Sequence, residues 1–355
     1  MDEPKEKKPV NWKRVVLITV CVILALILIA VASVAIYINY LLNKINYVPK
    51  EDSGLTPSEV IELLNTDPDL QPVDPSSTES LPDVSQMTFP TEETGPIKQH
   101  EDTINILLIG QDRRGEARAR SDSMILVTFN KSRGTITLTS FMRDSYVQIP
   151  GYKPNKLNHA YQYGGMSLLN ETLKVNFGVE VDGDIEVDFS RFKDLIDLLG
   201  GVDISLTQKE VDYLSVGGGS KWGLKVGMNH LNGTQALAYS RIRYIDSDYR
   251  RAERQRKVLL SLVDAYKNRP LTEMIGLLDD ILPLVTTNIE KGDILDLVTD
   301  LFPLLKSSQF KNLRIPADGT FRQGNVLVRP GLKNWFQYDI DFGANRKILE
   351  DAIGI

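Results

Sequence analysis

The chain has 355 residues, 42% hydrophobic and 25% charged, with a formal net charge of −6 and a single cysteine, Cys21. That is an ordinary globular balance in a chain longer than a typical domain. It excludes a disulfide-stapled scaffold, and an acidic balance without interleaved aromatics argues against a nucleic-acid binder.

Val15 to Ile38 is an unbroken run of 24 uncharged, mostly apolar residues. A helix needs about 20 such residues to cross a hydrocarbon core. Tyr37 and Tyr40 stand where an aromatic interface belt belongs. A cleaved signal peptide is the rival reading, because Ala30, Ala32 and Ala35 have small-residue spacing, but the run continues past those sites. The reading taken is a transmembrane helix over 15–40. Lys5, Lys7, Lys8, Lys13 and Arg14 precede it, so the positive-inside rule keeps residues 1–14 in the cytoplasm and places the rest outside. A large thiol-free outer part suits an exported bacterial protein.

Residues 41–103 read as an acidic extracytoplasmic tether. From Lys44 to Thr103 the chain carries 13 Asp and Glu against 3 Lys, with unpatterned Pro-containing pieces. Thr56-Pro57-Ser58-Glu59 before VIELLN is a capping-box signal for one short helix. Removing the tether's charge leaves the remainder slightly basic, which admits an anionic ligand.

Three strands follow: Ile104–Gly110 (INILLIG), Ser123–Asn130 (SMILVTFN) and Thr135–Met142 (TITLTSFM). The Gly-containing turn 130–134 makes the last two a hairpin. If the first two also pair antiparallel, one sheet edge collects Asp112, then Arg120 and Asp122, then Arg143 and Asp144. Helices are expected over 156–163, 165–177 and 190–199, the last capped by Ser190 and ended by Gly200-Gly201, with strands near 179–187 and 202–207. Such alternation predicts an α/β fold, a mixed α/β/α sandwich around a central mostly antiparallel or mixed sheet, preceded by the transmembrane helix.

Tyr239–Lys257 holds Arg241, Arg243, Arg250, Arg251, Arg254 and Arg256. Arg241 and Arg243 face one way if their segment is extended. A helix beginning near Tyr249 carries Ala252, Leu259, Leu262, Val263 and Tyr266 as its apolar stripe, flanked by Arg251, Arg254 and Gln255. A solvated ion-paired face is the bland alternative, but Arg, not Lys, dominates, and Arg is the bidentate ligand of phosphate.

The three histidines form no metal-spaced pair, and no Walker A, G-x-S-x-G or dinucleotide fingerprint is present. Paired carboxylates at Asp112 and Asp122 bind a hard cation such as Mg²⁺ through oxygen. Cation and guanidiniums together would neutralise a pyrophosphate.

INILLIGQD (104–112), RSDSMILVTFN (120–130), SFMRDSYVQIPG (140–151), KLNHAYQYGG (156–165), VDFSRFKDLIDLLGGVDI (187–204) and LNGTQALAYSRIRYIDSDYRRAERQRKVL (231–259) resemble, in order, the motifs of the LytR-CpsA-Psr family of cell-envelope ligases. The resemblance covers about 104–270 and implies a catalytic domain there; 271–355 matches none of its motifs, and LTEMIGLLDDILPLV and GDILDLVTDLFPLL, read as amphipathic helices before a strand candidate at Asn312–Pro316, make it a helical extension of unknown role. It implies a single-pass membrane protein, bacterial and Gram-positive, that transfers a teichoic-acid or polysaccharide glycopolymer from a polyprenyl-pyrophosphate carrier to peptidoglycan. Carried over by position, Asp112 and Asp122 hold Mg²⁺ or Mn²⁺. Arg120, Asp122, Arg143, Arg241 and Arg243 form the catalytic clamp, supported by Arg251, Arg254, Gln255 and Asp144. The Leu-rich helices 166–177 and 192–199 are expected to line a lipid channel. A pyrophosphate hydrolase using the same site and a non-enzymatic wall-binding regulator stay open as alternatives.

Overall fold

The computed structural model describes residues 36–49, 54–74, 76, 81–84, 87–90, 96–97, 101–113, 119–218, 220–243 and 245–353. Most of the apolar run expected to cross a membrane, Cys21 included, lies outside the described residues. Among those described, no helix is long and apolar enough to cross a membrane. The chain divides into two compact units at residue 45, and the folded unit is Asn46–Ile355.

The unit begins with β1 (Asn46–Tyr47), α1 (Pro57–Asn65) and β2 (Gln71–Pro72). The expected capping box at Thr56 and Glu59 is present on α1. Next come β3 (Thr103–Gln111), β4 (Ser121–Asn130) and β5 (Thr135–Phe141), the three strands read from their apolar runs. β4 pairs antiparallel with both neighbours, and Gly134 closes the β4–β5 turn at φ 58°. β6 (Tyr146–Val147) and β7 (Asn155–Lys156) form a short ribbon before α2 (Leu157–Phe177). Gly164 and Gly165 have non-helical backbone angles, so α2 is the two expected segments joined at a kink.

β8 (Gly183–Asp188) runs parallel to β3. Asp188, not Ser190, caps α3 (Phe189–Leu198), accepting from the Ser190 and Arg191 amides. A carboxylate two residues earlier outcompetes the hydroxyl because it takes two amides at once. β9 (Val202–Leu206), α4 (Gln208–Gly218), β10 (Gly227–Leu231), α5 (Gly233–Ser240) and α6 (Asp248–Tyr266) follow. β9 pairs only with β10, as a satellite ribbon beside the main sheet. α7 (Leu271–Ile281), β11 (Thr286–Thr287), α8 (Lys291–Ser307), β12 (Gln309–Ile315), β13 (Arg322–Arg329), β14 (Leu332–Tyr338) and α9 (Phe342–Ile353) complete the chain.

The main sheet has seven strands in the order β1-β11-β8-β3-β4-β5-β12, with parallel and antiparallel neighbours mixed. Its central strands are buried on both faces, which explains their unbroken apolar sequences. Leu107, Ile109 and Leu126 pack on one side with α2 and α9 residues such as Leu169 and Leu349. Ile106, Ile125 and Leu138 pack on the other with Leu259 of α6 and Leu297 and Leu301 of α8. Truncating a fully buried leucine such as Leu126 to alanine typically costs about 2–5 kcal/mol.

Two expected boundaries are corrected. The stretch read as a tether is built into the domain: Val60 and Ile97 are buried in the main core, and β1 and β2 extend sheets. Its isolated apolar residues are too sparse to signal packing, yet Val60 and Ile97 find slots in the core. The C-terminal stretch is not a helical extension. β12 pairs with β5 along seven residues, and Phe342, Leu349 and Ile353 of α9 close the core over α2. The strand candidate at Asn312–Pro316 overlaps β12, but its partner β5 lies far away in sequence, where no local pattern reveals the pairing.

Candidate functional site

Antiparallel pairing of β3, β4 and β5 delivers Asp112, Arg120, Asp122 and Arg143 to one edge, as the strand order implied. Arg241 and Arg243 arrive opposite them from the end of α5, and Arg251 and Gln255 from α6. These eight side chains line one cavity of about 1000 Å³. Arg241 and Arg243 do not lie on an extended segment. Arg241 is the C-cap of α5 at φ −105° and ψ 2°, and the wholly buried Ile242 between them pins the turn.

The charges interlock across the cavity. Asp122 accepts a short hydrogen bond from Arg143 Nη1, and its Oδ1 lies 3.9 Å from Arg243 Nη2. Arg241 Nη2 lies 3.4 Å from Asp112 Oδ2 and stacks 4.5 Å from the Phe189 ring centroid. Arg143 is mostly buried. Burial opposes its charge, but the carboxylates of Asp144 and Asp122 outweigh that and hold its pKa above the usual arginine value. Arg251 is pushed down to about 10, first by burial and then by Arg143 beside it, despite the partner Asp248 at 3.1 Å. It remains a cation at neutral pH.

Asp144 and Arg254, expected at the site, stand behind it. Asp144 is buried between Arg143 Nε at 3.2 Å and Lys156 Nζ at 3.3 Å. Arg254 binds Glu210 at 2.7 Å and forms a two-pronged pair with Asp246. Arg113 is drawn away to Glu186 at 2.6 Å, while Arg114 and Arg118 lie outside the described residues. Gln255 accepts a hydrogen bond from Ser123 at 3.1 Å, tying α6 to the sheet.

Asp67, Asp69 and His159 line the cavity without having been singled out. The first two sit in the supposed tether, where nothing local marks them. His159 lies within KLNHAYQYGG, so that motif was the available signal. The apolar wall is also different: it comes from Leu63, Phe189, Leu214, Trp222 and Leu237. Leu168, Leu169 and Leu173 of α2 point into the main core instead, and α3 contributes only its first turn and Lys193.

Asp112 and Asp122 are two oxygen donors on one cavity, which fits a cation that takes its remaining ligands from a bound phosphate. Among the described residues no group of three or more candidate ligands forms a closed metal site.

A mixed sheet thus brings a cationic edge to a cavity that also has an apolar wall. The chain belongs to the LytR_cpsA_psr family, whose model matches residues 76–335. It is 36% identical over 213 residues to the polyisoprenyl-teichoic acid–peptidoglycan teichoic acid transferase TagT of Bacillus subtilis (strain 168), an alignment spanning 58% of this chain and 65% of that relative's length. It is 33% identical over 220 residues to the teichoic acid transferase TagU of Bacillus cereus, spanning 61% and 69%. The structure of TagT bound to LIIa-WTA superposes with a TM-score of 0.59 at 27% identity, covering 78% of this chain and all of that one. YwtF (TagT) with bound octaprenyl pyrophosphate lipid gives 0.56 at 25% identity over the same shares.

Proposed function

We propose that this chain transfers a teichoic-acid-type glycopolymer from a polyprenyl-pyrophosphate carrier to peptidoglycan. The observation that carries this is the cavity's mixed chemistry: guanidiniums from the sheet edge and from the end of α5 converge in it beside an apolar wall of Phe189, Leu214, Trp222 and Leu237. A diphosphate would lie among the arginines and the first isoprene units along the apolar wall. An acceptor hydroxyl attacks the phosphorus nearest the glycan. The new P–O bond forms as the bridging P–O bond of the diphosphate breaks, the hydroxyl proton is lost, and polyprenyl phosphate departs. Such transfers depend mainly on positioning and charge neutralisation. Arg143, Arg241 and Arg243 would take the non-bridging oxygens, with Arg120, Arg251 and Gln255 in support, and Asp144 would hold Arg143 in place. Asp112 and Asp122 would hold Mg²⁺ or Mn²⁺, which supplies further neutralisation of phosphate charge. The run over 15–40 would anchor the chain in the cell membrane of a Gram-positive bacterium, N-terminus inside, with the domain facing the wall.

The test is incubation of the full-length chain in detergent with lipid-linked glycan, Mg²⁺ and peptidoglycan strands, followed by mass spectrometry. The expected products are glycan joined to peptidoglycan and free polyprenyl phosphate. Release of polyprenyl phosphate without joined glycan means water is the acceptor. Binding without turnover means a docking protein.

A further inference from the structure

Residues 66–70 cross from the end of α1 to β2 and put Asp67 and Asp69 into the cavity. Both carboxylates engage one nitrogen of Arg120: Nη1 lies 3.2 Å from Asp67 Oδ1 and 2.7 Å from Asp69 Oδ2. Asp69 Oδ2 also lies 3.3 Å from Lys156 Nζ, and Asp67 Oδ2 lies 3.5 Å from His159 Nε2. Two acids separated by one proline thus occupy the basic groups at this end of the cavity. Two linked phosphates of an incoming ligand would need the same groups.

We propose that the Asp67-Pro68-Asp69 turn is an internal competitor for the diphosphate, which must displace it to reach Arg120. This rests on the diphosphate reading of the cavity. A pair of acids that merely oriented Arg120 would leave the cavity open to an anion. These acids line the cavity themselves, so an approaching anion meets two like charges at close range. The turn is also mechanically separate. It is shaped by its own contacts, the Asp69 amide donating to Asp67 Oδ1 at 2.9 Å and the Leu70 amide to the Asp67 carbonyl at 3.2 Å. One flank is α1, held by the buried Val60 and by Arg329, which donates to the Leu64 carbonyl at 2.6 Å and to Asn65 Oδ1 at 2.7 Å. The other flank, β2, is paired with β14 through only two residues. Residues 66–70 can therefore swing on these anchors without breaking any pair of the seven-stranded sheet.

Isothermal calorimetry of the full-length chain in detergent, with farnesyl pyrophosphate as the probe, tests this. The proteins are wild type, Asp69→Asn alone, and Asp67→Asn/Asp69→Asn. Asn keeps the turn's shape and removes the charge. The single variant covers the case in which the double variant, altered at a buried carboxylate, fails to fold. The expected result is several-fold tighter binding for Asp69→Asn and at least tenfold for the double variant. Adding Arg120→Gln to either acid variant should abolish that gain. Unchanged or weaker binding in both acid variants, with wild type still binding the probe, overturns the competitor and leaves the diphosphate site standing. No binding by any of the proteins overturns the diphosphate reading and the competitor with it.

Discussion

The two basic sides of the cavity are built differently. On the sheet side, Arg120 and Arg143 are 24% and 17% exposed and sit against carboxylates from three chain segments. On the helical side, Arg241 and Arg243 are 43% and 42% exposed, with their nearest acids at 3.4 and 3.9 Å. Strand pairing fixes the first set and acids already neutralise it. The second set stands at a helix end with charge to offer. On the function proposed, a ligand's phosphate would be drawn to the helical side first, with the sheet side as a rigid counter-surface.

Asp122 touches both sides, so its removal has the largest expected effect. Asp122→Ala should lower transfer more than a hundredfold, about 3 kcal/mol. The fold should persist, because Arg143 keeps Asp144. Transfer rate and lipid-pyrophosphate affinity, each with Mg²⁺ and with chelator, measure it. A docking surface predicts the opposite sign, since losing an acid makes the cavity more positive. Tighter binding in the variant with no chelator effect on wild type would overturn the transferase.

Arg254 separates structural arginines from ligand-facing ones. Arg254→Ala leaves the buried Glu210, and the more exposed Asp246, without their cation and should cost about 3 kcal/mol of stability, seen in a denaturant midpoint. Farnesyl pyrophosphate affinity, measured where the variant is still folded, should stay within a factor of three. Normal stability with lost affinity would put Arg254 on the ligand after all. Arg241→Lys and Arg243→Lys should each slow transfer roughly ten- to a hundredfold, about 1.5–3 kcal/mol, because an ammonium cannot replace a planar fork. Unchanged rates in both would mark them as a solvated pair.

The sheet edge was legible because β3, β4 and β5 are continuous apolar runs and one Gly-containing turn sets the register of the hairpin. Which neighbour faces the cavity was less so. Arg143 and Asp144 are adjacent in the turn after β5, closed by the Ser145 amide on the Met142 carbonyl, where no strand alternation decides which of the two reaches the cavity. Arg251 and Gln255 share a helix face at i and i+4, whereas Arg254 turns toward Glu210 of α4, an acid remote in sequence. The acid turn was hidden for another reason. Its neighbourhood has the composition of a linker, and contacts remote in sequence draw it onto the domain: burial of Val60 and Ile97, Arg329 on the end of α1, and β2 pairing with β14.

The smallest expected effect is a pH dependence centred on His159, where the acid turn meets the core. Burial is the main influence on His159 and lowers its pKa below 6.5, with Arg120 and Lys156 acting the same way and the hydrogen bond to Asp67 opposing them. The folded protein therefore keeps this imidazole neutral where the unfolded chain already takes up a proton. Above the unfolded pKa the group adds no pH dependence. As pH falls below about 6.5, the unfolded state gains protons first and stability drops, with a limiting slope of about 1.4 kcal/mol per pH unit. His230, exposed and paired with Asp203 at 2.8 Å, is shifted upward, so its stabilisation is present at low pH and fades as pH rises. Solvent screening keeps that opposing contribution small. Urea midpoints at pH 7.5, 6.5 and 5.5 should thus fall over the lower interval in wild type, and His159→Gln should flatten that fall. An equal drop in both proteins would mean that His159 is protonated in the fold, with Asp67 as its counter-ion.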